Sequence, residues 1–372
     1  MTLAKTFESM ELQPETLAAV HKLGFSEPTS VQQQTIPPML AWNDIIAKAP
    51  TGTGKTCAFG IPIIEHIELN SPGIQVLILS PTRELALQIT GDLENLAAFR
   101  SDIRIATIYG GQNIVRQLDQ LRHKPQIIVA TPGRLIDHLR RRSIRLDAVH
   151  TVILDEADRM LDMGFIHDVR RILDLMPKVS QIALFSATLS RSVMDISWIY
   201  QRDAIEITVE EDEANKPPIT QFFININGNA RVATIKKLMQ DNQYEKVLVF
   251  CNTKQMVKTV TQHMKTAGCL ADCIHGDIEQ RVREKVLSSF RKGSLQILVA
   301  TDVASRGLDI DGVDAVVNYE IPLENEHYTH RIGRTGRAHR AGTAYTFTNV
   351  VTQPRLEEIM RYTRTPIVPL EV

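Results

Sequence analysis

The chain alternates short unbroken apolar runs with stretches whose apolar residues return every three or four positions. Ile45–Ala47, Val76–Ser80, Ile103–Tyr109, Gln126–Thr131, Val149–Asp155, Gln181–Ser186 and Ala204–Val209 read as strands. Val152-Ile153-Leu154 has no polar alternation, as expected of a strand covered on both faces in a parallel sheet. Helical patterns lie between the runs, which predicts an α/β fold with a doubly wound parallel sheet. Ahead of them, Pro14 suits the first turn of a helix running to Leu23, with Gly24 as its stop. Residues 210–218 (EEDEANKPP) are acidic, then proline-rich, without an apolar period, and read as a linker. The alternation resumes with Ile219–Ile226, Lys246–Cys251, Leu270–Ile274, Gln296–Thr301, Ala315–Tyr319 and Ala344–Thr348. Two domains follow, 1–209 and 219–372, the second repeating the architecture of the first.

A length of 372 residues accommodates both cores, and 43% hydrophobic with 23% charged residues describes a globular protein. Neither an apolar leader nor a run of membrane-spanning length is present, so a cytoplasmic location and no membrane partner are expected. Cys57, Cys251, Cys269 and Cys273 lack disulfide spacing. The last two would lie one helical turn apart in a helix, but no His–Cys set completes a zinc site. With a net charge of −1, any nucleic-acid contact must come from a local groove. Arg140-Arg141-Arg142 with Arg145 reads as a solvated helix end.

Candidate chemistry begins where the strand Val152–Leu154 ends in Asp155, Glu156 and Asp158. Carboxylates crowded at a strand's carboxyl end repel one another unless a cation neutralises them. Upstream, Ala49-Pro50-Thr51-Gly52-Thr53-Gly54-Lys55-Thr56 follows the strand Ile45–Ala47. Its glycines let backbone N–H groups turn onto an anion, Lys55 suits β/γ-phosphates, and the Thr56 hydroxyl suits magnesium. Together these make a magnesium–nucleoside triphosphate site in which Asp155 holds the metal's water shell and Glu156 polarises the attacking water. Phe25 suits stacking on a purine, and Gln32 suits adenine's N6/N7 edge. Other strands end in Pro81-Thr82-Arg83, Gly110-Gly111 and Thr131-Pro132-Gly133-Arg134, an edge of helix starts, hydroxyls and arginines fit for a row of phosphates. The second half has no glycine–lysine loop and instead carries His330–Arg337, with arginines every three residues aimed at an anion.

In these motifs, their order and their spacing, the sequence closely resembles the DEAD-box ATP-dependent RNA helicases of superfamily two over almost its whole length. Phe25 and Gln32, with Phe7 upstream, resemble the adenine-reading Q motif (about 5–33), and Ala49–Thr56 resembles motif I with Pro50 where Gln is common. Asp155–Asp158 matches motif II, Ser186-Ala187-Thr188 motif III, and Val249–Thr253 motif IV. Gln280 and Arg283 fit the Q-x-x-R element, Thr301–Asp309 fits motif V with Ser305 in place of alanine, and His330–Arg337 fits motif VI.

The resemblance implies two tandem RecA-like domains, each a mostly parallel sheet flanked by helices, closing over ATP, Mg2+ and RNA. Catalysis would fall to Lys55, Asp155, Glu156 and the arginine fingers Arg334 and Arg337. Thr56 and Asp155 would hold magnesium, and Asp309 would reach the ribose. Ser186, Thr188, Asp158 and His330 would couple the two ligands. The RNA track would comprise Pro81–Arg83, Gly110–Gly111, Thr131–Arg134, Thr253, Gln280, Arg283, Thr301, Asp302 and Arg306. Contacts to RNA backbone and 2′-OH groups imply little sequence preference. The expected activity is RNA-stimulated ATP hydrolysis with bending and local separation of RNA strands; an ATP-gated RNA clamp and, less readily, a double-stranded DNA translocase are the rival readings. A bare helicase core acting as a monomer, with protein partners supplying specificity, completes the expectation.

Overall fold

A computed structural model describes residues 6–50, 52–176, 179–209, 219–228, 230–302, 313–336 and 341–371, the side chains of Gln280 and Glu326 excepted. The expectations placed on Thr51, the linker 210–218, Arg306, Asp309, Arg337 and the Gln280 side chain therefore lie outside the described residues. The chain divides into two compact units, Met1–Glu211 and Asp212–Val372.

In the first unit the strands are β1 (Ile45–Lys48), β2 (Val76–Leu79), β3 (Ile105–Ile108), β4 (Ile127–Ala130), β5 (Thr151–Leu154), β6 (Gln181–Ser186) and β7 (Ile205–Thr208). They pair in the order β3-β4-β2-β5-β6-β1-β7, every pair parallel. Helices α1 (Pro14–Lys22), α2 (Ser30–Leu40), α3 (Lys55–His66), α4 (Arg83–Leu96), α5 (Ile114–Arg122), α6 (Pro132–Arg140), α7 (Ala157–Asp162), α8 (Ile166–Asp174) and α9 (Arg191–Tyr200) surround the sheet. Burial explains the unbroken apolar runs. Ile78, Ile153, Ala183 and Phe185 pack into the core on one face, and Leu77, Leu79, Val152, Leu154 and Leu184 into the core on the other. A polar residue at any of these positions would be buried without a backbone partner to satisfy it.

The second unit has β8 (Ile219–Asn225), β9 (Val247–Phe250), β10 (Ala271–Ile274), β11 (Ile297–Ala300), β12 (Ala315–Asn318), β13 (Gly342–Thr348) and β14 (Val368–Pro369). Their order is β10-β11-β9-β12-β13-β8-β14, again wholly parallel. Shifting each first-unit strand number by seven reproduces this order, so the described sheets share one topology. The repeat expected from the sequence is met, and β14, whose two residues are exposed, went unforeseen because Pro366 and Pro369 punctuate its short apolar stretch. The four cysteines are free, and Cys273 lies in β10 with Cys269 just before it, so the helical spacing considered for that pair does not apply. Among the described residues no helix is long and apolar enough to cross a membrane.

Because every strand is parallel, all carboxyl ends in a unit face one edge. That edge of the first unit divides in two. On one side of β5 stand β6 and β1, carrying Ser186–Thr188 and the 49–56 loop; on the other stand β2, β4 and β3, carrying Pro81–Arg83, Thr131–Arg134 and Gly110–Gly111.

Candidate functional site

The 49–56 loop turns through left-handed backbone at Gly52 and Gly54, with φ of 83° and 89°, where only glycine is unstrained. Gly54 is doubly fixed, since a Cβ there would stand 2.5 Å from Gln32 Nε2. Lys55 and Thr56 open α3, so the first N–H groups of that helix, which have no partner within it, face the edge. Lys55 is buried, and its Nζ donates to the Ala49 carbonyl at 3.0 Å. Thr53 Oγ1 donates to the Pro50 carbonyl at 2.9 Å, and the Thr56 side chain bonds Asp92.

Two residues from the start of α2 brace this loop. Thr29 Oγ1 donates to the Thr53 carbonyl at 2.8 Å, and Gln32 Nε2 donates to the Gly54 carbonyl at 3.2 Å. Gln32 Oε1 accepts from the Thr29 amide at 2.9 Å, closing the helix start. Phe25, 38% exposed, presents its ring at the surface rather than to the core, and Phe7 is fully buried instead.

At the end of β5, Asp155 is buried, and that burial pushes its carboxyl up to about 6 despite the nearby Lys55 ammonium, with Glu156 and Asp158 adding repulsion. A buried carboxylate beside two others is the donor set that a hard divalent cation neutralises. Glu156 has a left-handed backbone, φ 49°, which turns the chain sharply into α7. Its carboxylate pairs with Arg159 one turn on, both side chains largely buried. Asp158 reaches β6: its Oδ2 accepts from the Thr188 amide at 2.8 Å and hydroxyl at 3.0 Å. The Asp158 amide donates to Ser186 Oγ at 3.2 Å, and that hydroxyl donates to the Thr188 carbonyl at 2.7 Å. The acidic turn and the Ser–Ala–Thr turn are therefore joined by hydrogen bonds through Asp158.

On the other half of the edge, Thr82 and Thr131 stand immediately before α4 and α6, and Thr82 Oγ1 accepts from the Leu85 amide at 3.3 Å. The Arg83 guanidinium lies 4.5 Å above the Tyr109 ring. Arg134 Nε donates to the Tyr109 carbonyl at 3.1 Å and its Nη2 to the Gln112 carbonyl at 2.6 Å. The sequence assigned Arg134 to an external anion; here its guanidinium braces the turn holding Gly110 and Gly111.

In the second unit Thr253 precedes the helix Lys254–Thr266, its Oγ1 accepting from the Met256 amide at 3.1 Å. Arg283 lies in the helix Gln280–Arg291, Thr301 and Asp302 follow β11, and His330 and Arg334 lie in and just after the helix Asn325–Ile332. The Asp302 carboxylate is held by its own unit. Its Oδ1 and Oδ2 accept from Arg331 Nε and Nη2, both at 2.7 Å, so the carboxylate is committed inside the unit and only its main chain remains for a phosphate strand. Arg331, 1% exposed, also donates to Asn318 Oδ1, the Glu320 carbonyl and Asn252 Oδ1. One guanidinium thus ties the ends of β11, β9 and β12, which are adjacent in the sheet. The sequence reading counted Arg331 among arginines aimed at an outside anion, named Asn252 only as part of motif IV, and passed over Arg159, which directly follows Asp158.

Comparison with known proteins agrees with this geometry. Residues 29–196 match the DEAD/DEAH box helicase family and residues 230–339 the helicase conserved C-terminal domain. The DEAD-box ATP-dependent RNA helicase CshA of Geobacillus kaustophilus is 42% identical over 359 residues, 96% of this chain and 77% of that protein. CshA of Bacillus subtilis is 42% identical over 356 residues, covering 96% and 71%. Among solved structures, Saccharomyces cerevisiae Dbp5 bound to RNA and ADP BeF3 aligns with a TM-score of 0.84 at 28% identity, covering 99% of this chain and 96% of that one. A DEAD box protein from the hyperthermophile Methanococcus jannaschii is 39% identical with a TM-score of 0.57 over the full length of both chains.

Proposed function

The chain belongs to the DEAD-box ATP-dependent RNA helicases, and from that premise we propose that the carboxyl edge of its first sheet is divided between ATP and RNA. The β5-β6-β1 half takes the nucleotide: Phe25 stacks on adenine, Gln32 reads its edge, the 49–56 loop and Lys55 hold the phosphates, and Glu156 orients water toward the γ-phosphate. Thr56 and Asp155 would hold Mg2+, which when bound supplies the charge that neutralises the phosphates and keeps the Asp155 carboxylate ionised. The β2-β4-β3 half takes the RNA backbone through Arg83, the Gly110–Gly111 turn and the N-terminus of α6. Thr253, Arg283, the main chain at Thr301–Asp302 and Arg306 serve RNA from the second unit. Arg334 and Arg337 act on the γ-phosphate, and Asp309 on the ribose. The protein acts as a monomer.

One observation carries this reading. The turn bearing Asp155 and Glu156 is hydrogen-bonded through Asp158 to Thr188, so the hydrolytic acids and the strand end beside the lysine loop share one rigid piece. The nucleotide half of the edge is thereby tied together at β5, the strand beside which the RNA half begins.

The test is ATP-dependent displacement of a short RNA strand, with a DNA duplex of the same sequence and Lys55→Asn as controls. Displacement of the RNA strand that needs ATP and is lost in the variant supports the reading. Equal displacement of DNA would overturn the RNA assignment; ATP-dependent RNA retention without displacement would mark a clamp.

A further inference from the structure

Helix α5 has one fully buried residue, and it is polar: Gln117. Its partner, His138 of α6, is likewise wholly buried. Burying a carboxamide and an imidazole is costly unless each polar atom finds a partner, and here the partners are complete. Gln117 Nε2 donates to the Tyr109 carbonyl at 2.8 Å and to Gln112 Oε1 at 3.0 Å. Its Oε1 faces His138 Nε2 at 2.9 Å, so the imidazole proton sits on Nε2, leaving Nδ1 facing Ser143 Oγ at 2.8 Å, a hydroxyl shared with the His138 carbonyl at 3.1 Å. Burial together with Arg134 and Arg141 holds His138 below its ordinary histidine value, consistent with the neutral ring this chain of bonds requires.

We propose that Gln117 and His138 are positioning residues that preset the turn Tyr109–Gln112 for RNA, an inference that rests on the RNA reading of this half of the edge. The Tyr109 carbonyl receives donors from both Gln117 and Arg134, and the Gln112 main chain and side chain are held by the same two residues. The turn bearing Gly110 and Gly111 is thereby clamped at both ends, and the ring on which Arg83 lies belongs to its first residue. Stability alone does not call for this pair, because apolar residues of the same shape fill such a space at least as well. What a fully satisfied polar network adds is a single geometry. A turn already held in that geometry need not be ordered when RNA arrives, so its binding is stronger.

Four variants test this: Gln117→Met, which keeps the length without donors or acceptor; His138→Leu; His138→Gln, whose amide still donates to Gln117; and Arg83→Ala, which probes the RNA surface itself. The measurements are the RNA concentration giving half-maximal ATP turnover, turnover at saturating RNA, and anisotropy of a labelled single-stranded RNA with a non-hydrolysable ATP analogue. Gln117→Met and His138→Leu are expected to raise the half-maximal RNA concentration about tenfold, with turnover recovered at saturation, while His138→Gln stays within about twofold of the parent. Nucleotide affinity and thermal melts establish that each variant is folded, and should Gln117→Met fail to fold, the two His138 variants decide. Parental RNA affinity in Gln117→Met and His138→Leu, with Arg83→Ala weakened, overturns the positioning role alone. Parental affinity in Arg83→Ala as well overturns the RNA reading of this edge and the inference with it.

Discussion

Glu156 and Arg159 form an ion pair across one turn of α7, with their side chains 14% and 8% exposed. The pairing engages Glu156 Oε2. On the proposed reading the attacking water falls to its other oxygen. Glu156→Gln keeps an acceptor for Arg159 but removes the charge that polarises water. Turnover is expected to fall by about 10²–10⁴, with ATP and RNA affinity retained. Single-turnover hydrolysis beside equilibrium binding checks this, and a parental rate would remove Glu156 from the mechanism.

Gln32→Ala removes the residue assigned to adenine. Discrimination between ATP and GTP is expected to shrink by about 1–3 kcal/mol. Because Gln32 also closes the start of α2, melting of the variant should show a loss on the order of 1 kcal/mol. Unchanged discrimination would leave only the structural role.

Arg331 is buried within an ion pair and three further hydrogen bonds. Arg331→Ala leaves Asp302 without its buried counter-charge, which costs about 3–5 kcal/mol. Denaturant unfolding of the second unit checks this. A loss below about 1 kcal/mol would show that the hub does not hold the strand ends together.

Arg334→Ala is expected to abolish RNA-stimulated turnover, a loss of about 10³-fold or more, with ATP affinity largely retained. Lysine should rescue poorly, since a point charge does not reproduce the planar fork. Turnover at saturating ATP and RNA is the measurement, and recovery there would sink the finger assignment. Arg337→Ala is expected to behave alike.

The buried histidines should cost stability in mild acid, against an opposing contribution from the Asp155 carboxyl, which takes up its proton at about 6 in the folded chain. His66 stacks on Trp42 with ring centroids 3.9 Å apart, His150 meets the same ring edge-on, and burial holds both histidines, like His138, below the ordinary value of 6.5. As pH drops through 6.5 the unfolded chain takes up protons that the folded chain refuses. Stability present above that value is therefore lost progressively below it, by no more than about 1.4 kcal/mol per pH unit for each histidine. Melting temperatures between pH 7.5 and 5.5 check the slope, and His150→Gln should flatten it.

The fold was legible because parallel sheets covered on both faces write themselves as apolar runs. Val76–Ser80 and Lys246–Cys251 differ from β2 and β9 only at their ends, where the next loop starts while the side chains are still buried. The phosphate loop and the acids were legible because glycine, lysine and carboxylate have few other uses in that order. Arg331, Gln117 and His138 were not. A buried polar residue is indistinguishable in sequence from a surface one, and its meaning lies in partners as far off as Asn252 is from Arg331. Arg134 shows the converse: a residue whose charge suggested an outside ligand is taken up by its own unit.

Gln32 has one further consequence. Its single amide donates to the Gly54 carbonyl within the phosphate loop, while Lys55 two atoms of backbone further on is closed onto Ala49. A carboxamide has two N–H donors and two lone pairs on its oxygen, so an adenine edge can engage Gln32 while the Gly54 carbonyl keeps its donor, and choosing the base then reinforces the brace on the loop. A guanine nucleotide, which does not match that edge, leaves the brace as it stands. Selectivity between the two should then appear in how long a nucleotide stays more than in how fast it enters, and stopped-flow association and dissociation with labelled ATP and GTP would separate those two rates.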